Sequence, residues 1–160
     1  MSHRVGMGID AHPFAPERTL RLGGVEIAGS AGLAGHSDGD VLLHAIADAI
    51  LGAASLPSLG ELFSDSDPAW KGADSARFLE RAVKLAAAKG WRISNVDAVV
   101  IAEAPRIAPY AVAIRQRLAS ILSIEDSRVG IRGTSTNGLG FAGRGEGIAA
   151  TAVVLLEGEA

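Results

Sequence analysis

The segment GIAATAVVLLE, residues 147–157, is nearly unbroken apolar sequence, interrupted by one threonine and closed by one acid. It is far shorter than the roughly 20 apolar residues of a membrane-spanning helix, and its Val and Leu content suits a buried strand. A strand without polar alternation must be covered on both faces. Helices can sheathe one face, which leaves the other for a second subunit.

Upstream, the chain alternates strand and helix signals. Residues 4–11 read as a first strand ended by Pro13, and Leu20–Leu22 with Val25–Ile27 as a hairpin across Gly23-Gly24. Ser37, with Asp40 three positions later, has the spacing of a capping box for a helix from Asp38 to about Ala54. Further helices are expected from about Asp74 to Lys89, where Gly90 ends the helix, and from Pro109 to about Leu122. Strands are expected at 92–103 and 129–136. The turn-rich stretch SLPSLGELFSDSDPAWKGADS is too long for an idle connection and reads as a binding loop or lid. The order implies an α/β (α+β) two-layer sandwich: a mixed sheet with helices on one face, in a single domain over 1–160.

Apolar residues make up 48% of the chain but aromatics only 4%, so the core must be close-packed Ala, Val, Ile and Leu. A net charge of −3 offers no basic surface for nucleic acid, and no window is long and apolar enough for a membrane span. A cytoplasmic protein with neither partner is expected. Cysteine is absent, so a metal would need His, Asp or Glu ligands.

Such residues stand together in GIDAHPF. Asp10 and His12, two apart on a strand, share one face. In the first helix Asp40, His44 and Asp48 recur every fourth residue and also share a face. Asp10, His12 and His44 could therefore bind a metal with a fourth position open, as catalytic zinc sites do. The same residues are also accounted for by a turn cap, a surface histidine and a hydrogen-bonded core histidine. His36, just before the helix, faces either an anion or solvent.

The motifs GIDAHPF, GHSDGDVLLHAIADAILGAA, FSDSDPAWKGADS, AEAPRIAP and LGFAGRGEGIA run in order along the chain. In these the sequence resembles the 2-C-methyl-D-erythritol 2,4-cyclodiphosphate synthases of the non-mevalonate isoprenoid pathway. The resemblance implies a homotrimer with active sites between subunits, the sheet facing inward. It implies a lyase that converts 4-diphosphocytidyl-2-C-methyl-D-erythritol 2-phosphate to the cyclic 2,4-diphosphate and CMP by intramolecular phosphoryl transfer. One Zn2+ per subunit would sit on Asp10, His12 and His44, with Mg2+ or Mn2+ at the diphosphate. Catalytic roles would fall to His36 and Ser135.

The further site residues come from the same resemblance. Asp10, His12, His36 and Ser37 would meet phosphate and erythritol, with Ser58 and Gly60 nearby and Phe63, Ser64, Asp65, Ser66 and Asp67 as a cover. Ala102, Ala104, Pro105, Arg106, Ile107 and Ala108 would hold cytosine, mainly by backbone. Thr134, Ser135, Thr136 and Asn137 would meet the cytidine diphosphate. Asp48 would orient a histidine ligand, or is simply a helix-surface acid. Phe141 and Arg144 would frame a cavity on the trimer axis able to hold an isoprenoid diphosphate, although Thr151 replaces an acid there. Two departures weaken charge: Ser58 and Asn137 stand where the family generally has carboxylates, while Ser135 for threonine keeps the hydroxyl. An alternative is therefore a trimeric zinc protein that binds cytidine nucleotide or isoprenoid diphosphate with weakened catalysis.

Overall fold

In the computed structural model, which describes residues 1–158, the strands are β1 (Ser2–Leu22), β2 (Val25–Leu33), β3 (Trp91–Ile101), β4 (Val129–Thr134) and β5 (Gly147–Gly158). They form one mixed sheet in the order β2-β1-β5-β3-β4, antiparallel except for the β3–β4 pair. The helices are α1 (Val41–Ala53), α2 (Leu59–Leu62), α3 (Ala76–Ala88), α4 (Ala111–Leu122) and α5 (Gly140–Gly143). Of these, α1 lies on β1 and β5, α3 beside α1 against β3, and α4 on β4. Among the described residues no helix is long and apolar enough to cross a membrane.

The first strand does not stop at Pro13. At that residue β1 finishes its ladder with β5, Pro13 opposite Gly147, and from Phe14 it pairs with β2 instead. Proline lacks an N–H, so the point where one ladder hands over to another is where it removes least. The hairpin forms as expected, Leu22 opposite Val25, with Gly23 and Gly24 at φ 63° and 76°, a left-handed pair that glycine adopts without strain.

Helix α1 begins three residues later than its sequence signal suggests, and its cap is Asp40 rather than Ser37. The Asp40 carboxylate accepts the Leu43 amide at 3.1 Å and the hairpin amides of Gly23 and Gly24 at 2.9 and 2.7 Å. One buried acid thus closes the helix start and the turn together. Burial pushes its pKa up, opposed by these three amides.

The contact between α1 and β1 is made by the smallest side chains. A Cβ on Gly6 would stand 2.8 Å from the Ala53 Cβ, and one on Gly8 would stand 2.7 Å from the Ala49 nitrogen. Helix and strand therefore approach almost backbone to backbone, which brings the next residues on that face, Asp10 and His12, up to His44. Gly8→Ala should overpack this seam and cost about 1–3 kcal/mol. Its measure is the denaturant midpoint, and an unchanged midpoint would mean the seam has slack.

The outer sheet face carries Val5, Met7 and Ile9 at 68%, 69% and 65% exposure, with Val153 opposite Met7. On β5 the helix-side residues Ile148, Ala150, Ala152, Val154 and Leu156 are buried, whereas Val153 is exposed. Within one chain the outer side of the final strand is thus open at Val153, while Ala149 on that side is buried and Thr151 and Leu155 are half-buried.

Candidate active site

Asp10 and His12 project from the helix side of β1, and His44 descends from the first turn of α1. Asp10 Oδ2 lies 2.8 Å from His12 Nε2 and 3.1 Å from His44 Nδ1, and the two ring nitrogens are 3.3 Å apart. Ligand atoms around a tetrahedral zinc with bonds of about 2.0–2.1 Å stand about 3.3 Å from one another. The three atoms are already nearly at that spacing, so this Asp-His-His set can hold a metal ion. Burial works against the Asp10 charge, but hydrogen bonds to His12 and His44 prevail and hold its pKa at about 2, ionised at neutral pH. The hydrogen bond with Asp10 raises the pKa of His12 against the opposing effect of burial.

Outside this triad the polar partners are specific. The Ala34 backbone beside the His12 ring favours its protonated form. His44 Nε2 lies 2.9 Å from Ser75 Oγ and 3.2 Å from Ser37 Oγ. The Ser75 hydroxyl donates to the Asp38 carboxylate, which also accepts the Ser75 amide at 3.2 Å. Sequence reasoning missed both Ser75 and Asp38. The available signal was a serine heading a helix; here that serine makes no side-chain cap, because Asp74 accepts the Ala76 amide instead. Asp48 does not reach a histidine: its Oδ1 accepts the Leu59 amide at 2.7 Å and anchors the start of α2.

A cavity of about 460 Å³ opens over the triad, lined also by His36, Ser37, Asp48, Gly60, Phe63 and Asp65. Its cover is the expected lid, built of α2 and a 3-10 turn, Pro68–Trp70. An aromatic cluster pins it down, with Phe63, Trp70 and Phe78 centroids 4.9–5.2 Å apart. The lid's backbone is tied to the loop before α1, Gly72 N–H to His36 O at 2.7 Å and Asp38 N–H to Ala73 O at 3.0 Å. His36 Nε2 is 3.2 Å from the Asp67 carbonyl. Ser58 heads α2, its hydroxyl donating to Glu61, and Ser64 and Ser66 share a hydrogen bond at the exposed tip.

The remaining predicted residues form two other groups. Ala102–Ala108 and Thr134–Asn137 leave the ends of β3 and β4 together, joined by Ala102 N–H to Thr134 O at 2.9 Å. Glu103, also missed from sequence, accepts the Thr136 and Gly138 amides at 3.0 and 3.2 Å, and these amides depress its pKa. Asn137 sits at φ 53°, a left-handed conformation that asparagine tolerates. Register aligns Asp10 with Ala150, Ala150 with Val100 and Val100 with Gly133, so these loops leave the same end of the sheet as His12. Two strand spacings nevertheless part Asp10 from Val100, roughly 10 Å. Phe141 is 42% exposed beside a smaller cavity with Ala11 and Pro13, and Arg144 pairs with Glu146 at 2.6 Å.

Together these features define an α/β protein whose sheet and first helix carry an Asp-His-His metal-binding centre under a lid. A family model described as the YgbB family matches residues 3–157, and the chain belongs to that family. It is 51% identical over 153 residues to 2-C-methyl-D-erythritol 2,4-cyclodiphosphate synthase of Xanthomonas oryzae pv. oryzae, covering 96% of this chain and 94% of that one. The same enzyme of Thermosynechococcus vestitus is 50% identical over 157 residues, covering 98% of each. Among solved structures, IspF of Plasmodium falciparum in complex with CDP matches with a TM-score of 0.87 at 34% identity, over 99% of this chain and 98% of that one. The bifunctional IspDF of Campylobacter jejuni matches with a TM-score of 0.95 at 39% identity, over 99% of this chain and 43% of that longer one.

Proposed function

We infer that this chain is a cyclodiphosphate synthase that forms 2-C-methyl-D-erythritol 2,4-cyclodiphosphate and CMP from 4-diphosphocytidyl-2-C-methyl-D-erythritol 2-phosphate, in the cytoplasm. The observation that carries the reading is an Asp10–His12–His44 centre standing intact in a chain half identical to synthases along nearly its whole length. In the reaction an oxygen of the 2-phosphate attacks the β-phosphorus. The bond from that phosphorus to the oxygen bridging it to the α-phosphate breaks, and CMP leaves with the electron pair. The attacking oxygen is already anionic, so no base is required, and the main tasks are folding the substrate and neutralising charge. Zinc held by the triad would withdraw charge from the β-phosphate. His36 at the cavity rim would steady the phosphates, and the lid around Phe63 would exclude water from the erythritol unit.

The nucleotide loops are assigned to the same reaction through a homotrimer. Thr134–Asn137, with Ser135 in a catalytic role, and Ala102–Ala108 would bind the cytidine diphosphate across the boundary with the next subunit's metal cleft. Two features support this: the roughly 10 Å separation within one chain and the open apolar strip of Val5, Met7, Ile9 and Val153. Ile9→Glu should convert a sedimenting trimer to monomer and remove activity with it; a fully active monomer would refute the shared site. The axial cavity beside Phe141 and Arg144 would take an isoprenoid diphosphate.

Magnesium or manganese would ride on the diphosphate near Asn137, whose amide oxygen is a weaker ligand for a hard cation than a carboxylate. Asn137→Glu should therefore lower the magnesium concentration needed for half-maximal rate, without altering zinc content. Superimposable magnesium titrations would show that Asn137 does not limit metal use. The test of the function itself is product analysis by 31P NMR. CMP appearing in step with the cyclic diphosphate is expected, whereas tight binding without CMP would favour a binding protein.

A further inference from the structure

We propose that Ser75, backed by Asp38, is a positioning residue that presents His44 to the metal; the inference rests on the Asp10–His12–His44 centre being a metal site. It follows from counting hydrogens. Ser75 owns one hydroxyl hydrogen and gives it to the Asp38 carboxylate. Its oxygen can therefore only accept from the ring nitrogen 2.9 Å away, so His44 Nε2 must carry the proton. Once a metal takes the place of the proton that Nδ1 shares with Asp10, an imidazole protonated at Nε2 offers its lone pair on Nδ1, the atom that faces Asp10 and His12. Ser37 Oγ, 3.1 Å from Ser75, can give its hydrogen to the second Ser75 lone pair, completing the set.

Several features distinguish this from an incidental core contact. Ser75 is wholly buried, yet it makes no side-chain cap for the helix it heads, so its hydroxyl is committed to Asp38 and His44. Behind it stands a carboxylate, which polarises the hydroxyl and increases the acceptor strength of its oxygen. That carboxylate is fixed in turn by the Asp40 amide at 3.1 Å and the Ser75 amide at 3.2 Å. Outer partners of this kind orient a ligating histidine and raise its basicity. Ser75 is also the last residue of the lid's root, so the segment that closes the cavity and the device that aims the ligand are one piece of chain.

The test is metal affinity rather than turnover. Zinc binding is measured by competition with a chromophoric chelator, and ligand geometry by the visible spectrum of the Co2+ form. Ser75→Ala is expected to weaken zinc binding about 10- to 100-fold and to change the cobalt spectrum. Should that variant not fold, Asp38→Asn keeps the shape while removing the charge behind Ser75, and several-fold weaker binding is expected. A zinc dissociation constant and cobalt spectrum unchanged in the folded variant would overturn the positioning role alone. Wild-type protein that takes up neither metal would overturn the centre itself, and the inference with it.

Discussion

His44→Ala is expected to strip the metal and lower synthase activity by at least about 10³-fold, equivalent to about 4 kcal/mol of transition-state stabilisation. Two ligands would remain, Asp10 and His12, both on one strand, and neither can close the gap that the ring from α1 fills. The loss should be chemical rather than structural. His44 lies on a helix whose other inward residues carry the packing, and alanine is a better helix former than histidine. Metal analysis and far-UV circular dichroism on the same sample separate the two effects. Stoichiometric zinc in the variant would remove His44 from the ligand set.

Asp40→Ala should cause the largest loss of stability, about 4 kcal/mol, from leaving three backbone donors, two of them buried, without the acceptor that a fully buried carboxylate supplies. Against the usual 5–15 kcal/mol for a whole protein, that is a large share. Asp40→Asn keeps an oxygen for Gly23 and Leu43 but turns an NH2 group toward the Gly24 amide, so about 1–2 kcal/mol is expected. Denaturant midpoints compared at equal slope check both. Equal losses would show that the acid's charge, not its acceptor geometry, is what matters.

The fate of Asp40 also shows what the sequence could and could not disclose. Period-two spacing put Asp10 and His12 on one face, and the four-residue step put His44 on a helix; both rules are local, and both held. The two-layer sandwich was legible for the same reason, since apolar patterning reports which face is buried. Caps were harder. Ser37 and Asp40 both suit a helix start, and only the hairpin at Gly23-Gly24, distant in sequence, selects Asp40 and frees Ser37 to face His44. Asp48 met the same difficulty, because its partner Leu59 belongs to a lid with no periodic signal. Ser75 and Glu103 were invisible as functional residues for a plainer reason: each acts on a segment more than 30 residues away in the chain. The length of β1 beyond Pro13 depended likewise on which neighbour took over the pairing.

The seam of Gly6 and Gly8 against Ala45, Ala49 and Ala53 acts as a gauge block for the centre above it. Where a helix rests on long side chains, its height over a sheet can drift as those chains exchange rotamers; glycine and alanine have no rotamers to exchange. The span from Asp10 to His44 is thus set by main-chain thickness rather than by side-chain rotamers. Selectivity among cations of different radius would then be written partly into residues that never touch the ion.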